Sequence, residues 1–134
     1  MERTFIIVKP DGFARGLVGE VLARAERKGF RLVDARILTP TQELLDRHYA
    51  EHVTKGFYAG LVEFMTSGPV FAAILEGENV IAGFRSLAGA TNPIDATPGS
   101  IRGDFATSTQ RNIVHGSDSA ESAEREIALW FGQE

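Results

Sequence analysis

Arg111-Asn112-Ile113-Val114-His115-Gly116-Ser117-Asp118-Ser119 decides how the fold is read, because it joins a buried strand to a helix across one histidine. Ile113 and Val114 read as the end of a short apolar strand. Gly116 has no Cβ, so another group can come close to its backbone. Ser117 and Asp118 are favoured helix N-cap residues, and behind them Ala120, Ala123, Ile127, Trp130 and Phe131 recur at helical spacing. The imidazole of His115 is therefore expected at the positive end of a helix, where free N–H groups attract phosphate. A ring nitrogen beside an anion site points to phosphoryl transfer through histidine.

Working outward, Phe5-Ile6-Ile7-Val8 is a continuous apolar run of the kind buried on both faces of a sheet, stopped by Lys9-Pro10-Asp11-Gly12. Leu17, Val18, Val21, Leu22 and Ala25 mark a helix that Gly29 ends. Phe30 to Leu38 reads as a second strand. Thr39-Pro40-Thr41-Gln42 reads as a capping box with proline in the first helical position, opening a helix that carries Leu44, Leu45, His48, Tyr49 and His52. A further helix bears Phe57, Leu61, Phe64 and Met65 and closes at Gly68-Pro69. Val70 to Leu75 is a third buried strand, and Asn79 is placed to cap a helix with Val80, Ile81, Phe84 and Leu87. Residues 90–111 form a long polar loop, a type that is uncommon inside compact domains and often functional. The order predicts a single α+β domain over residues 1–134: a ferredoxin-like split βαβ sandwich with a four-stranded antiparallel sheet, an extra helical hairpin and a long active-site loop.

A chain of 134 residues can build a core without a metal or disulfide staple. It has no cysteine, which excludes disulfides and thiolate chemistry. The net charge of -4 disfavours nonspecific nucleic-acid binding. No apolar run reaches membrane-spanning length, and Met1-Glu2-Arg3-Thr4 leads straight into a strand pattern with no signal peptide. The expected location is the cytoplasm.

Neither G-x-x-x-x-G-K-[ST] nor G-x-G-x-x-G occurs, so any phosphate site must use polar side chains at element ends. Lys9 follows the first strand. Tyr49 and His52 stand one turn apart, and Arg85 sits near the end of a helix. Thr91 and Arg102 lie in the long loop, with Arg111 and Asn112 before the histidine strand. Guanidinium groups bind phosphate through paired donors, and lysine adds a point charge. Taken singly, each has an ordinary structural alternative: Lys9 a solvated strand end, Phe57 a core residue, Glu126 a solvated helix carboxylate.

Ile7-Val8-Lys9-Pro10-Asp11-Gly12, Gly89-Ala90-Thr91-Asn92-Pro93, Ile101-Arg102-Gly103-Asp104-Phe105 and Asn112-Ile113-Val114-His115-Gly116-Ser117-Asp118-Ser119 together resemble the nucleoside diphosphate kinase family, in order and across essentially the whole chain. The resemblance implies a ping-pong phosphotransferase that balances nucleoside triphosphate pools. It makes His115 the carrier through Nδ1, oriented by Glu126, with Ser117 bonding in the phosphorylated state. By the same likeness His52, Arg85, Thr91 and Arg102 hold phosphate oxygens, with Tyr49 close to the transferred group. Lys9 and Asn112 reach the ribose, and Phe57 and Leu61 meet the base, with little regard for its identity. It implies Mg²⁺ carried with the nucleotide, no metal-ligating residues of the protein's own, and a homotetramer or homohexamer. Thr109 and Gln110 depart from the apolar residue and glycine common there, which makes the far side of the base more polar.

Two rivals follow from other features. His48-Tyr49-Ala50-Glu51-His52 matches H-x-x-E-H, a zinc-hydrolase pattern, with Glu121 or Glu124 as a third ligand. A non-catalytic nucleotide sensor on the same fold would bind without turnover.

Overall fold

The computed structural model describes residues 1–132; positions 133 and 134 of the expected domain lie outside the described residues. In chain order the elements are β1 (Glu2–Val8), α1 (Pro10–Ala14), α2 (Val18–Lys28), β2 (Arg31–Leu38), α3 (Gln42–His48), α4 (Tyr58–Met65), β3 (Val70–Gly77), α5 (Val80–Ala88), α6 (Ile101–Phe105), β4 (Val114–Gly116) and α7 (Ala120–Phe131). The fold class is as expected: helices pack on a four-stranded sheet ordered β2-β3-β1-β4, antiparallel throughout.

β1 is apolar without interruption from Phe5 to Val8 because helices cover both faces of the sheet there. Side chains alternate along a strand. Phe5 and Ile7 therefore enter a cluster with Leu45, Met65 and Trp130 from α3, α4 and α7. Ile6 and Val8 enter another with Val21, Ala25, Val80 and Phe84 from α2 and α5. Each of these strand residues is fully buried, and such burial contributes about 2 kcal/mol per large side chain. The pairing of β1 with β4 sets Ile7 opposite His115. Directly paired residues share a face, so His115 lies on the α3 and α7 side of the sheet.

Several local expectations are corrected. α3 is capped by Thr41, whose hydroxyl accepts the Leu44 N–H at 3.1 Å, so Thr39 and Pro40 stand before the helix and no reciprocal capping box forms. α3 stops at His48, which leaves Tyr49 as its C-cap and His52 in the turns beyond. Asn79 is left-handed, with φ 57°, and its side chain caps nothing. The carboxylate of Glu2 instead accepts the Ile81 N–H at 3.1 Å. The polar segment 90–111 is not structureless: it holds a 3-10 turn at Pro93–Asp95 and α6. Asn92 and Ser100 open these short pieces by accepting the N–H groups of Ile94 and Gly103. Short polar side chains compete for nearby backbone in this way, and hydropathy periodicity does not register it.

Candidate active site

His115 sits on β4 with its side chain about one-fifth exposed. Its Nε2 lies 2.9 Å from Oε1 of Glu126. Glu126 is 5% exposed, on α7. The same oxygen accepts the Ser117 hydroxyl at 2.7 Å. Ser117 is fully buried, and its main-chain N–H donates to the Phe5 carbonyl at 3.0 Å. A carboxylate only accepts, so the imidazole proton belongs on Nε2 and Nδ1 keeps the lone pair. Glu126 is thus no solvated helix carboxylate.

The position of His115 relative to the helix differs from expectation. The N-cap of α7 is Ser119, not Ser117 or Asp118, and its hydroxyl accepts the Ser122 N–H at 3.1 Å. His115 meets the flank of α7 at Glu126 rather than its first turn. Gly116 does admit a close neighbour, but the neighbour is the Phe84 ring: a Cβ there would stand 2.8 Å from it. Ser117, expected at the phosphoryl group, has its hydroxyl committed to Glu126.

The strand carrying His115 is entered through a strained turn. Ile113 is β-branched and fully buried, yet has φ 75°. The Val114 N–H reaches back to the Asn112 carbonyl at 2.8 Å, closing a three-residue turn of a rare kind. Asp11 in α1 accepts the Ile113 N–H at 3.1 Å, and the Lys9 N–H donates to the Ile113 carbonyl at 2.8 Å. α1 sits so close that a Cβ on Gly12 would stand 2.9 Å from the Ile113 side chain.

Cations gather beside the ring. Lys9 Nζ donates to Asn112 Oδ1 at 2.9 Å, and Asn112 Nδ2 donates to the Thr91 carbonyl at 3.1 Å. Burial, and then the charge of Arg102, hold the Lys9 ammonium down at about 8, partly opposed by Asp11. Arg102 donates to the carbonyls of Asn112, Gly89 and Val114 at 3.2, 2.8 and 2.7 Å. It therefore pins the turn before His115 to the segment after α5. Burial and Arg85 lower its guanidinium to about 10. Burial raises the Tyr49 phenol, helped by Glu126 and Tyr58.

These groups line a cavity of about 510 Å³ that brings together Lys9, Tyr49, His52, Arg85, Thr91, Arg102, Asn112, His115 and Glu126. A neighbouring cavity of about 670 Å³ shares Lys9 and holds Phe57, Leu61, Phe64, Thr109, Gln110 and Arg111. Phe57 is 53% exposed at its rim, so it is no core residue. The expected site residues thus divide between a cationic cavity and an apolar one. Ser117 stands behind the carboxylate.

Sequence reasoning missed Asp11 and gave His48 the wrong part. His48 is 4% exposed and accepts the Trp130 indole N–H on Nδ1 at 3.0 Å. Burial, then His115, Arg125 and Lys9, push its imidazole down to about 2. The H-x-x-E-H pattern does not lie on one helical face, because α3 ends at its first histidine. His52 instead bonds Lys55 through Nδ1 at 3.2 Å. Among the described residues, the cluster with metal-ligand spacing is His48, His115 and Glu126. Even there, the indole N–H consumes the Nδ1 lone pair of His48. The proton is then on Nε2, which has no lone pair left for zinc.

The sequence model of the nucleoside diphosphate kinase family matches residues 2–134. A nucleoside diphosphate kinase of Brevibacillus brevis is 58% identical over 134 residues, covering 100% of this chain and 91% of that protein. The cytosolic nucleoside diphosphate kinase of Dictyostelium discoideum is 60% identical over 133 residues, covering 99% and 86%. The crystal structure of the apo nucleoside diphosphate kinase from Encephalitozoon cuniculi superimposes with a TM-score of 0.97 at 44% identity, covering 99% of this chain and 90% of that one.

Proposed function

The chain belongs to the nucleoside diphosphate kinase family, whose members move the terminal phosphoryl group of a nucleoside triphosphate to a nucleoside diphosphate, and from that premise we propose that His115 carries the group between them. The carrying observation is the 2.9 Å contact between Nε2 and Glu126, which reserves Nδ1 for the cationic cavity. The Nδ1 lone pair attacks the γ-phosphorus. The N–P bond forms as the bond to the β-phosphate oxygen breaks, and the diphosphate leaves. A second diphosphate then attacks the same phosphorus with its terminal oxygen, and the N–P bond breaks. Glu126 supports the ring as positive charge develops on it. Arg85, Arg102, Thr91 and His52 bind phosphate oxygens, with Tyr49 beside the group in flight. Lys9 and Asn112 take the ribose. Phe57 and Leu61 form the base platform, and stacking on a ring face is tolerant of base identity.

The lining of the cavity suits a magnesium ion that arrives with the nucleotide. The side chains there are mostly cationic or neutral, so a hard cation must draw its oxygen ligands from phosphate. Three carboxylates line the cavity, Glu51, Asp118 and Glu126, and Glu126 is engaged by His115 and Ser117. The Ser122 hydroxyl donates to Asp118 at 2.7 Å and holds its carboxyl below the usual range, so Asp118 stays charged and would help hold such an ion. Bound there, the ion supplies neutralisation of phosphate charge.

The same reading takes residues 1–134 as one cytoplasmic domain acting in a homotetramer or homohexamer. β2 is an edge strand exposing Ile37, and Ile94 is 85% exposed in the long segment; both offer surface for assembly. No helix among the described residues is long and apolar enough to cross a membrane. The test incubates the protein with γ-labelled ATP, removes nucleotide and follows the label. The bond formed should be acid-labile and base-stable, and CDP or GDP should discharge it. His115→Asn should take no label; normal labelling of that variant overturns the assignment.

A further inference from the structure

His48 faces the carrier histidine without any role in the transfer described above. Its ring stands edge-on to His115, with centroids 4.9 Å apart and planes at 73°. On its other sides it packs against Phe5 at 6.1 Å, Tyr49 at 4.6 Å and Trp130 at 5.5 Å. It is the last residue of α3, and Arg125 of α7 donates to its carbonyl at 3.3 Å. The backbone and three sides of the ring are thus fixed, and its remaining side is His115. The indole N–H of Trp130 fixes the tautomer as well, because an N–H donor can meet Nδ1 only when Nδ1 is unprotonated.

We propose that His48, held by Trp130 as the uncharged Nε2–H tautomer, is a positioning residue that braces the ring of His115 so that Nε2 stays on Glu126 and Nδ1 stays toward the cavity. Glu126 alone fixes one atom of the His115 ring, and rotation about that contact is free until a second surface blocks it. Phe5 lies tilted against the ring with centroids 6.1 Å apart, and His48, nearer at 4.9 Å, is the closer surface. The brace must be neutral. The titratable and charged groups facing it are His115 on β4, Glu126 and Arg125 on α7, Tyr49 beyond α3 and Lys9 beyond β1. A cationic ring in that company would compete with His115 for Glu126, the one carboxylate that the ring needs. Burial keeps the charge away, in line with the depressed basicity of His48. The inference rests on His115 being the carrier.

The test uses the whole protein. In ¹⁵N spectra of the parent between pH 5 and 9, His48 should show a protonated Nε2 and an unprotonated Nδ1 that does not titrate. A protonated Nδ1 or a midpoint in that range overturns the proposal. His48→Ala should slow single-turnover labelling of His115 by roughly tenfold or more, since small misplacement of a reacting group is costly, with KM for the nucleotide unchanged. Its His115 signals should shift to mixed tautomers. His48→Phe combined with Trp130→Phe keeps an aromatic ring at both positions and removes both polar partners, and should restore labelling to within about threefold of the parent. Parental labelling by His48→Ala, or a double variant as slow as His48→Ala, refutes the brace while leaving His115 as carrier. Failure of the parent itself to take label refutes the carrier instead.

Discussion

Asp11→Ala tests whether the strained entry to β4 is held from outside. A β-branched residue at φ 75° costs on the order of 1–3 kcal/mol. Opposing that cost are the Asp11 contact to the Ile113 N–H at 3.1 Å, the Lys9 N–H to the Ile113 carbonyl and the Val114 N–H to the Asn112 carbonyl, each of the last two at 2.8 Å. Asp11 is the one charged acceptor among them, and a hydrogen bond to a charged group is worth about 1.5–3 kcal/mol. Its loss should therefore destabilise the fold by about 2 kcal/mol, or roughly 7 °C in melting temperature for a chain of this length. The freed turn relaxes toward ordinary backbone and carries His115 with it, two residues on. Labelling from γ-labelled ATP should then slow by at least about tenfold under conditions where the variant is fully folded. Asp11→Asn keeps an accepting oxygen but sets an amide group where Oδ1 is buried without a partner, so it should fall between parent and alanine variant. Circular dichroism melts and quenched-flow labelling measure both quantities. An alanine variant that melts and labels like the parent would show that the turn is held by its own backbone bonds, and the reasoning would fail.

Glu126→Gln keeps an oxygen for both His115 and Ser117 and loses only the charge, so labelling should slow by roughly ten- to a hundredfold with little loss of stability; Glu126→Ala strands two donors and should also destabilise the fold, by about 2–4 kcal/mol. Equal melting temperatures for the two variants would contradict this. Arg102→Ala should slow phosphoryl transfer more than it weakens nucleoside binding; equal effects in calorimetry and single-turnover assays would refute its phosphate role. Lys9 titrates at about 8 in the fold against an ordinary value near 10.5, so the unfolded chain binds more protons between those values. Its contribution to stability accordingly rises with pH across that window, while nucleotide KM worsens as the cation disappears. Lys9→Met should erase both trends, and a parent whose KM is flat from pH 7 to 10 would exclude the assignment.

The strands and most helices were legible because their causes are local. Phe5 to Val8 reads as buried strand because its side chains are continuously apolar, and Gly29 ends α2 because it adopts φ 110°, which other residues avoid. Boundaries drifted where a polar side chain chose between equivalent backbone partners: Thr41 rather than Thr39 at α3, Ser119 rather than Ser117 at α7, and Glu2 from a distant strand in place of Asn79 at α5. Part of the cavity lining was legible too, since Lys9, Thr91, Arg102, Asn112 and His115 occur in motifs whose order the family shares, while Arg85 and Glu126 lie outside them.

By itself the sequence determined which segments bury, the sheet-and-helix class and the stock of charged and polar residues at element ends, since hydropathy period, glycine conformation and charge are properties of residues and their near neighbours. Tertiary structure alone decided what each polar group faces. The pairing of Ile7 with His115 chose the side of the sheet, α7 then delivered a buried carboxylate to the ring's flank rather than a helix end, and Trp130 settled the proton of His48. Two of those pairings join residues more than 80 positions apart and the third spans 11, and a hydrogen bond carries no trace of its partner in the sequence around either end.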